Sequence, residues 1–224
     1  LVVSSGATVN ATGIKGFTAD SGTKNLGGTA NLTADNSGRT INMSGANTGA
    51  FNITGGTGTD TLTGGSGDDT IKGNGNDDII KGEGGDDTLQ GEAGDDTLTG
   101  GTGNDTFKVE TGQDIIVDLG GASGGNTDVL IVSGSADATA ANIVSFTANG
   151  STKNTSSGTV TLTAKASTNA TINLSASASG AYAINGNSGQ DIITGGSGND
   201  TLKGEGANDT IKGEGGNDII TGGT

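Results

Sequence analysis

Single apolar residues recur at every ninth position over two stretches of this chain. Leu62, Ile71, Ile80, Leu89, Leu98, Phe107 and Ile116 form one series, and Ile193, Leu202, Ile211 and Ile220 form a second. A fixed short period marks a repeat architecture, in which each unit buries its side chain only against its neighbours. Outside these series the apolar residues are sparser but not random. They fall at Leu32, Ile41/Met43 and Phe51/Ile53 ahead of Leu62, and at Leu162, Ile172/Leu174 and Tyr182/Ile184 ahead of Ile193. Alternating triplets such as Ile41-Asn42-Met43 and Phe51-Asn52-Ile53 suit half-buried strands. We read these spacers as coils of the same solenoid. A small separate β-sandwich in each spacer is the alternative the pattern leaves open.

A longer repeat of about 130 residues contains the short one. Leu1-Val2-Val3-Ser4 matches Leu130-Ile131-Val132-Ser133, and FTADSGTKN from Phe17 matches FTANGSTKN from Phe146. TINMS from Thr40 matches TINLS from Thr171, and GAFNI from Gly49 matches GAYAI from Gly180. The chain is a tandem duplication, each copy a Ser/Thr/Ala/Asn-rich spacer followed by a nonapeptide array. The expected division is spacer 1–54, array 55–117, spacer 118–185 and array 186–224.

Composition sharpens this picture. Apolar residues make up 29 % of the chain and aromatic residues 2 %, and 46 residues are Gly. An ordinary core of interleaved large side chains is out of reach, so the chain is either thin and repetitive or disordered. A net charge of −15 favours disorder unless cations neutralise it, and it argues against nucleic acid and anionic membranes as partners. No run approaches the roughly 20 apolar residues of a membrane span. The start Leu1-Val2-Val3 carries neither an initiator Met nor a signal peptide, so we read the chain as part of a longer protein.

The chemistry sits two residues before each periodic apolar residue. That position, the sixth of the nonapeptide, is Asp throughout: Asp60, Asp69, Asp78, Asp87, Asp96, Asp105 and Asp114, then Asp191, Asp200, Asp209 and Asp218. Gly-Asp clusters also make ordinary turns, but ordinary turns do not require a carboxylate at one phase in every repeat. The pattern G-G-x-G-x-D-x-U-x, with U apolar, resembles the RTX family of calcium-binding repeats. The resemblance spans just under half of the chain. It implies an all-β fold, a right-handed parallel β-roll or β-solenoid with calcium-binding turns, tandemly duplicated. Six residues would form a turn and three a short strand, two nonapeptides would complete a coil, and Ca²⁺ would sit between turns stacked on one edge.

Those ions would be shared between carboxylates 18 residues apart: Asp60/Asp78, Asp78/Asp96, Asp96/Asp114, Asp69/Asp87, Asp87/Asp105, Asp191/Asp209 and Asp200/Asp218. Ca²⁺ takes six to eight oxygens at about 2.3–2.6 Å, from carboxylates and backbone carbonyls. Turning successive carbonyls inward needs positive φ, which Gly adopts without penalty. Asn76 and Ala207 replace the fourth-position Gly, and Val109-Glu110 replaces the opening pair before Asp114. Ala207 is where we expect most strain, because Asn tolerates left-handed geometry better than Ala. Asp68, Asp77, Asp86 and Asp95, at the fifth position, are expected to face solvent. Lys81, Lys203 and Lys212, each two residues before a Glu, are read as solvated surface pairs.

Without His or Cys, nucleophilic catalysis by a Ser–His or Cys–His pair is excluded and zinc lacks its usual ligands. Each carboxylate has equivalent neighbours, whereas an active site is a single asymmetric constellation. We therefore expect no enzyme. The expected role is a calcium-dependent structural segment of a secreted bacterial cell-surface protein: an S-layer subunit, an adhesin stalk or an extracellular filament. Its partners would be calcium ions and adjacent repeats of the same protein, or further copies. The alternative is the carrier region of a type I-secreted enzyme or toxin. An ice-binding face is disfavoured, because among the intact nonapeptides the third position is Thr only at Thr57 and Thr102.

Overall fold

The computed structural model describes residues 1–46, 48–120, 127–176 and 179–224, and all regular elements among them are short β-strands. Two compact units, Leu1–Lys108 and Val109–Thr224, each build a parallel β-solenoid. The reason lies in the period. Every pass of the chain has one or two inward positions, and parallel stacking of successive passes lines them into columns.

In the first unit, one sheet aligns Leu32, Ile53, Ile71, Leu89 and Phe107 in register. The other aligns Phe17, Ile41, Leu62, Ile80 and Leu98. From Leu32 and Ile41 onward, every member of both columns is buried. In the second unit, Ile116, Ala140, Leu162, Ile184, Leu202 and Ile220 form one column, and Phe146, Ile172, Ile193 and Ile211 another. The eighth positions predicted from sequence are therefore the core, except in the last two repeats, where Ile211 is half-buried and Ile220 is 50 % exposed.

The spacer strands pair directly with array strands. Asn52–Thr54 pairs with Thr70–Gly75, Thr40–Asn42 with Thr61–Thr63, and Ala183–Asn185 with Thr201–Lys203. No sandwich is formed by these strands. The coil length differs, however. Paired strand positions in the spacers lie farther apart, by 21 residues in Leu32↔Ile53 and 26 in Phe146↔Ile172, against 18 in the arrays. The longer spacer coils enclose additional apolar residues: Met43, Phe51, Leu174 and Tyr182 are all buried.

Where the arrays place carboxylates, the spacers place amides. Asn25 is buried; its Nδ2 donates to the Ala50 carbonyl of the next pass at 2.5 Å, while its Oδ1 accepts the Gly28 N–H at 2.9 Å. Asn154 repeats this with Ala181 at 2.7 Å and Ser156 at 3.0 Å. An amide both donates and accepts, so it links coils with no charge to neutralise. The repeated contacts show the duplication at the level of side-chain geometry.

Strand length departs from the expected three residues. Thr70–Gly75, Ile79–Gly84, Thr88–Ala93 and Thr97–Thr102 each run six residues, into the first three positions of the following nonapeptide. Pairing resumes there, as in Glu83↔Gly101 and Gly84↔Thr102, so only the fourth to sixth positions remain as turn.

The alternation of inward and outward positions carries a quantitative consequence. Leu89 is fully buried, whereas Ile79, the seventh residue of its nonapeptide, is 44 % exposed. Leu89→Ala should cost about 2–5 kcal/mol, and Ile79→Thr should stay within about 0.5 kcal/mol of the parent. Denaturant unfolding at saturating calcium measures both, and equal losses would contradict the assigned faces.

Candidate metal centre

The turns set the sixth-position aspartates inside the solenoid wall. Asp60, Asp69, Asp78, Asp87, Asp96, Asp105, Asp114, Asp191 and Asp200 are buried, and Asp209 and Asp218 are half-buried. Burial of so many carboxylates needs compensation. Part of it comes from a hydrogen-bond ladder that the sequence did not disclose. In ten of the eleven, from Asp60 to Asp105 and from Asp191 to Asp218, Oδ1 accepts the backbone N–H stacked one coil earlier. Asp78 takes the Asp60 N–H at 2.7 Å, Asp87 that of Asp69 at 2.7 Å, Asp96 that of Asp78 at 2.8 Å and Asp105 that of Asp87 at 2.9 Å. In the second array Asp209 takes the Asp191 N–H and Asp218 that of Asp200, both at 2.9 Å.

The ladder ties the arrays to the spacers. Asp60 accepts from Arg39 at 2.6 Å and Asp69 from Phe51 at 2.7 Å, while Asp191 accepts from Ala170 at 2.7 Å and Asp200 from Tyr182 at 2.8 Å. Stacking at 18-residue separation is thus seen for Asp60/Asp78, Asp78/Asp96, Asp69/Asp87, Asp87/Asp105, Asp191/Asp209 and Asp200/Asp218. Asp96 and Asp114 belong to different units.

The first-position glycines are required by space. A Cβ on Gly73 or Gly82 would lie within 3.0 Å of both the Oδ2 of the Asp five residues on and the carbonyl oxygen of the next coil's first Gly. The same pair of oxygens faces Gly186 and Gly204. Left-handed backbone occurs instead at the second and fourth positions, and in several repeats on residues other than Gly. Asn74, Glu83, Glu92, Asn187, Glu205 and Glu214 hold φ of 80°, 78°, 75°, 73°, 72° and 67° at the second position. Asn76 and Ala207 hold 65° and 81° at the fourth, so Ala207 carries the strain expected of it. Non-glycine residues held there cost of order 1 kcal/mol or more each, which the surrounding turn must offset.

The fifth-position acids Asp68, Asp77, Asp86 and Asp95 are exposed, yet they have a structural task. Asp68 Oδ1 accepts the Asp86 N–H and Asp77 Oδ1 that of Asp95, both at 2.9 Å; Asp86 takes Asn104 at 2.7 Å. This second ladder runs towards the following coil, opposite to the first. Lys212 pairs with Glu214 at 2.9 Å on the surface. Asp128 was missed by sequence reading. It is buried, lies two residues before Leu130 as a sixth-position Asp would, and accepts the Gly120 N–H through Oδ2 at 2.6 Å. No glycine repeat announces it, and residues 121–126 lie outside the described residues.

The donor set fits calcium. Oδ2 of Asp78, Asp87, Asp191 and Asp209 is buried with no hydrogen-bond donor, an arrangement that is costly unless a cation lies against it. Neighbouring carbonyl oxygens supply further hard ligands, and the chain has no softer His or Cys. Among the described residues no three acidic side chains converge, so carbonyls would have to complete a shell of six to eight. Bound calcium would supply the positive charge that these stacked carboxylates lack.

Burial pushes Asp78 and Asp87 up to about 7 and Asp69 to about 6, opposed by the N–H donors and reinforced by neighbouring carboxylates. Burial likewise raises Asp96, Asp191 and Asp200. In the unfolded chain these groups titrate near 3.9. Between about pH 4 and 7 the folded state therefore holds protons that the unfolded state has lost, and calcium-free stability falls as pH rises through that window. In chelator, β-structure followed by circular dichroism should be greatest near pH 4–5 and decline towards pH 7.5. Calcium should reverse the order, stabilising most at neutral pH. Chelated protein that gains structure as pH rises would contradict the assignment.

The sequence model of the RTX calcium-binding nonapeptide repeat matches four segments, residues 54–89, 81–116, 184–202 and 194–224. No curated protein and no solved structure matches the chain. The matched segments contain all eleven sixth-position aspartates, the ladder they build and the buried oxygens that lack donors. The nonapeptide arrays of this chain therefore belong to the RTX calcium-binding repeat family.

Proposed function

We propose that this chain is a structural segment of a secreted bacterial cell-surface protein, folded and stiffened by calcium outside the cell. The observation that carries the reading is the stack of buried carboxylates with unpartnered oxygens inside a solenoid that has few apolar residues to hold it. Such a device is stable only where calcium is plentiful. Extracellular calcium, near millimolar, suits modules of this affinity range. Duplication of a whole spacer-plus-array module favours length and surface coverage over chemistry, and the repeated carboxylates offer no asymmetric constellation for catalysis. A surface layer, an adhesin stalk or an extracellular filament would use these properties, with adjacent repeats or further copies as partners. Export by a type I route and a bacterial source follow from the family resemblance. The carrier region of a secreted enzyme or toxin is the competing role.

Circular dichroism should report mostly coil at neutral pH in chelator and β-structure after millimolar Ca²⁺ is added, with Mg²⁺ a poor substitute because it demands tight octahedral geometry. On intact cells, chelation should shed or soften the surface material that carries this chain, and calcium should restore it. A chain fully β-structured in chelator would defeat the calcium-dependent reading. A parent protein found free in the medium as a protease, lipase or toxin would replace the structural role with the carrier role.

A further inference from the structure

The turns are not equivalent, although each carries the same Asp. In three of them both carboxylate oxygens are satisfied by backbone. Gly56 N–H donates to Asp60 Oδ2 at 2.7 Å, Gly65 to Asp69 Oδ2 at 2.6 Å and Gly196 to Asp200 Oδ2 at 2.7 Å. The Oδ1 atoms of these residues hold Arg39, Phe51 and Tyr182 in the preceding spacer coil. These turns are closed. In four others Oδ2 is buried and receives nothing: Asp78, Asp87, Asp191 and Asp209. The second residue of each open turn, Asn74, Glu83, Asn187 or Glu205, is left-handed, whereas Gly56, Gly65 and Gly196 are not. Donation from the second N–H to Oδ2 accompanies the closed form and is missing from the open one.

A further observation bears on the Asp60 turn. At the Asp60 turn, Asn74 Nδ2 donates to the Gly55 carbonyl at 2.8 Å and Asn76 Nδ2 donates to that of Thr57. Amide groups thus occupy two carbonyls of this turn. At all seven turns Oδ2 lies beside a carbonyl of the following coil, Gly91 for Asp78 and Gly100 for Asp87 as much as Gly73 for Asp60 and Gly82 for Asp69, but only at the open turns is that Oδ2 buried without an N–H donor. Strained backbone on a non-glycine residue then has a purpose, because it keeps the carboxylate free of its own N–H.

We infer that the open turns at Asp78, Asp87, Asp191 and Asp209 each take a calcium ion on Oδ2, while the closed turns at Asp60, Asp69 and Asp200 hold their coils without one. The inference rests on the calcium-dependent reading above and deepens it. In the first array the whole opening pass, with Asp60 and Asp69, becomes a metal-free continuation of the spacer from which the calcium-bound coils extend. The residue at the second position, Gly against Asn or Glu, marks the class at these seven turns.

Crystals of the full chain grown in calcium would locate the ions by anomalous scattering. The expected map has a peak at about 2.3–2.6 Å from Oδ2 of Asp78, Asp87, Asp191 and Asp209, and none at Oδ2 of Asp60, Asp69 or Asp200. In solution, equilibrium dialysis should show the bound-calcium count falling by one for Asp78→Asn and for Asp87→Asn, and unchanged for Asp69→Asn and Asp200→Asn. The crystallographic result stands even if a variant fails to fold. Ions at the closed turns, or equal losses from all four variants, would overturn the division and leave the calcium reading intact. No ion at any turn in millimolar calcium would overturn both.

Discussion

The constraint on which this structure depends is electrostatic: carboxylates of like charge must be buried one above another in a narrow solenoid. Adjacent strands lie about 4.8 Å apart, and at an effective dielectric constant of about 20 unit charges at that distance repel by roughly 3–4 kcal/mol. A small domain is stable by only about 5–15 kcal/mol. A few such repulsions consume that margin, and the thin apolar columns of one residue per strand cannot restore it. Removal of that charge, by protons at low pH or by a divalent cation at neutral pH, would therefore stabilise the stacked coils.

Within that constraint the chain divides the labour among three side chains. Sixth-position Asp bridges coils through Oδ1, as at Asp78 and Asp87, accepting a backbone N–H from the coil before. Asn25 and Asn154 bridge coils in the spacers with a neutral amide that needs no ion. Fifth-position Asp residues bridge at the surface, where water screens their charge. Spacers and arrays are thus one architecture in two electrostatic versions, one linked by neutral amides and one by carboxylates.

Much of this was legible in the sequence because the repeat removes ambiguity. One Asp or one Leu in a glycine-rich turn says little, but Asp69, Asp78 and Asp87 at one phase, each two residues before Ile71, Ile80 and Leu89, fix which residue faces inward and which carries the chemistry. Three features were not legible. The longer pass of the spacers, 21 residues at Leu32↔Ile53 and 26 at Phe146↔Ile172, depends on how residues such as Met43 and Phe51 fill the interior, which the spacing of apolar residues alone does not determine. The left-handed backbone at Glu83 and Glu205 opposes the local preference of Glu, and only the stacked turns impose it. Asp128 lacks the glycine framework that made its equivalents recognisable, so its burial emerged only from the fold.

The account is tested most directly at the amides that donate into the carboxylate ladder. Hydrogen exchange at neutral pH should find the N–H groups of Asp69, Asp78 and Asp87, which bond Asp87, Asp96 and Asp105, strongly protected in calcium. In chelator their protection should fall by at least about tenfold, the factor that corresponds to roughly 1.4 kcal/mol. The same protection in both conditions would show that the stacked carboxylates hold the coils without a cation, and the central claim would be wrong.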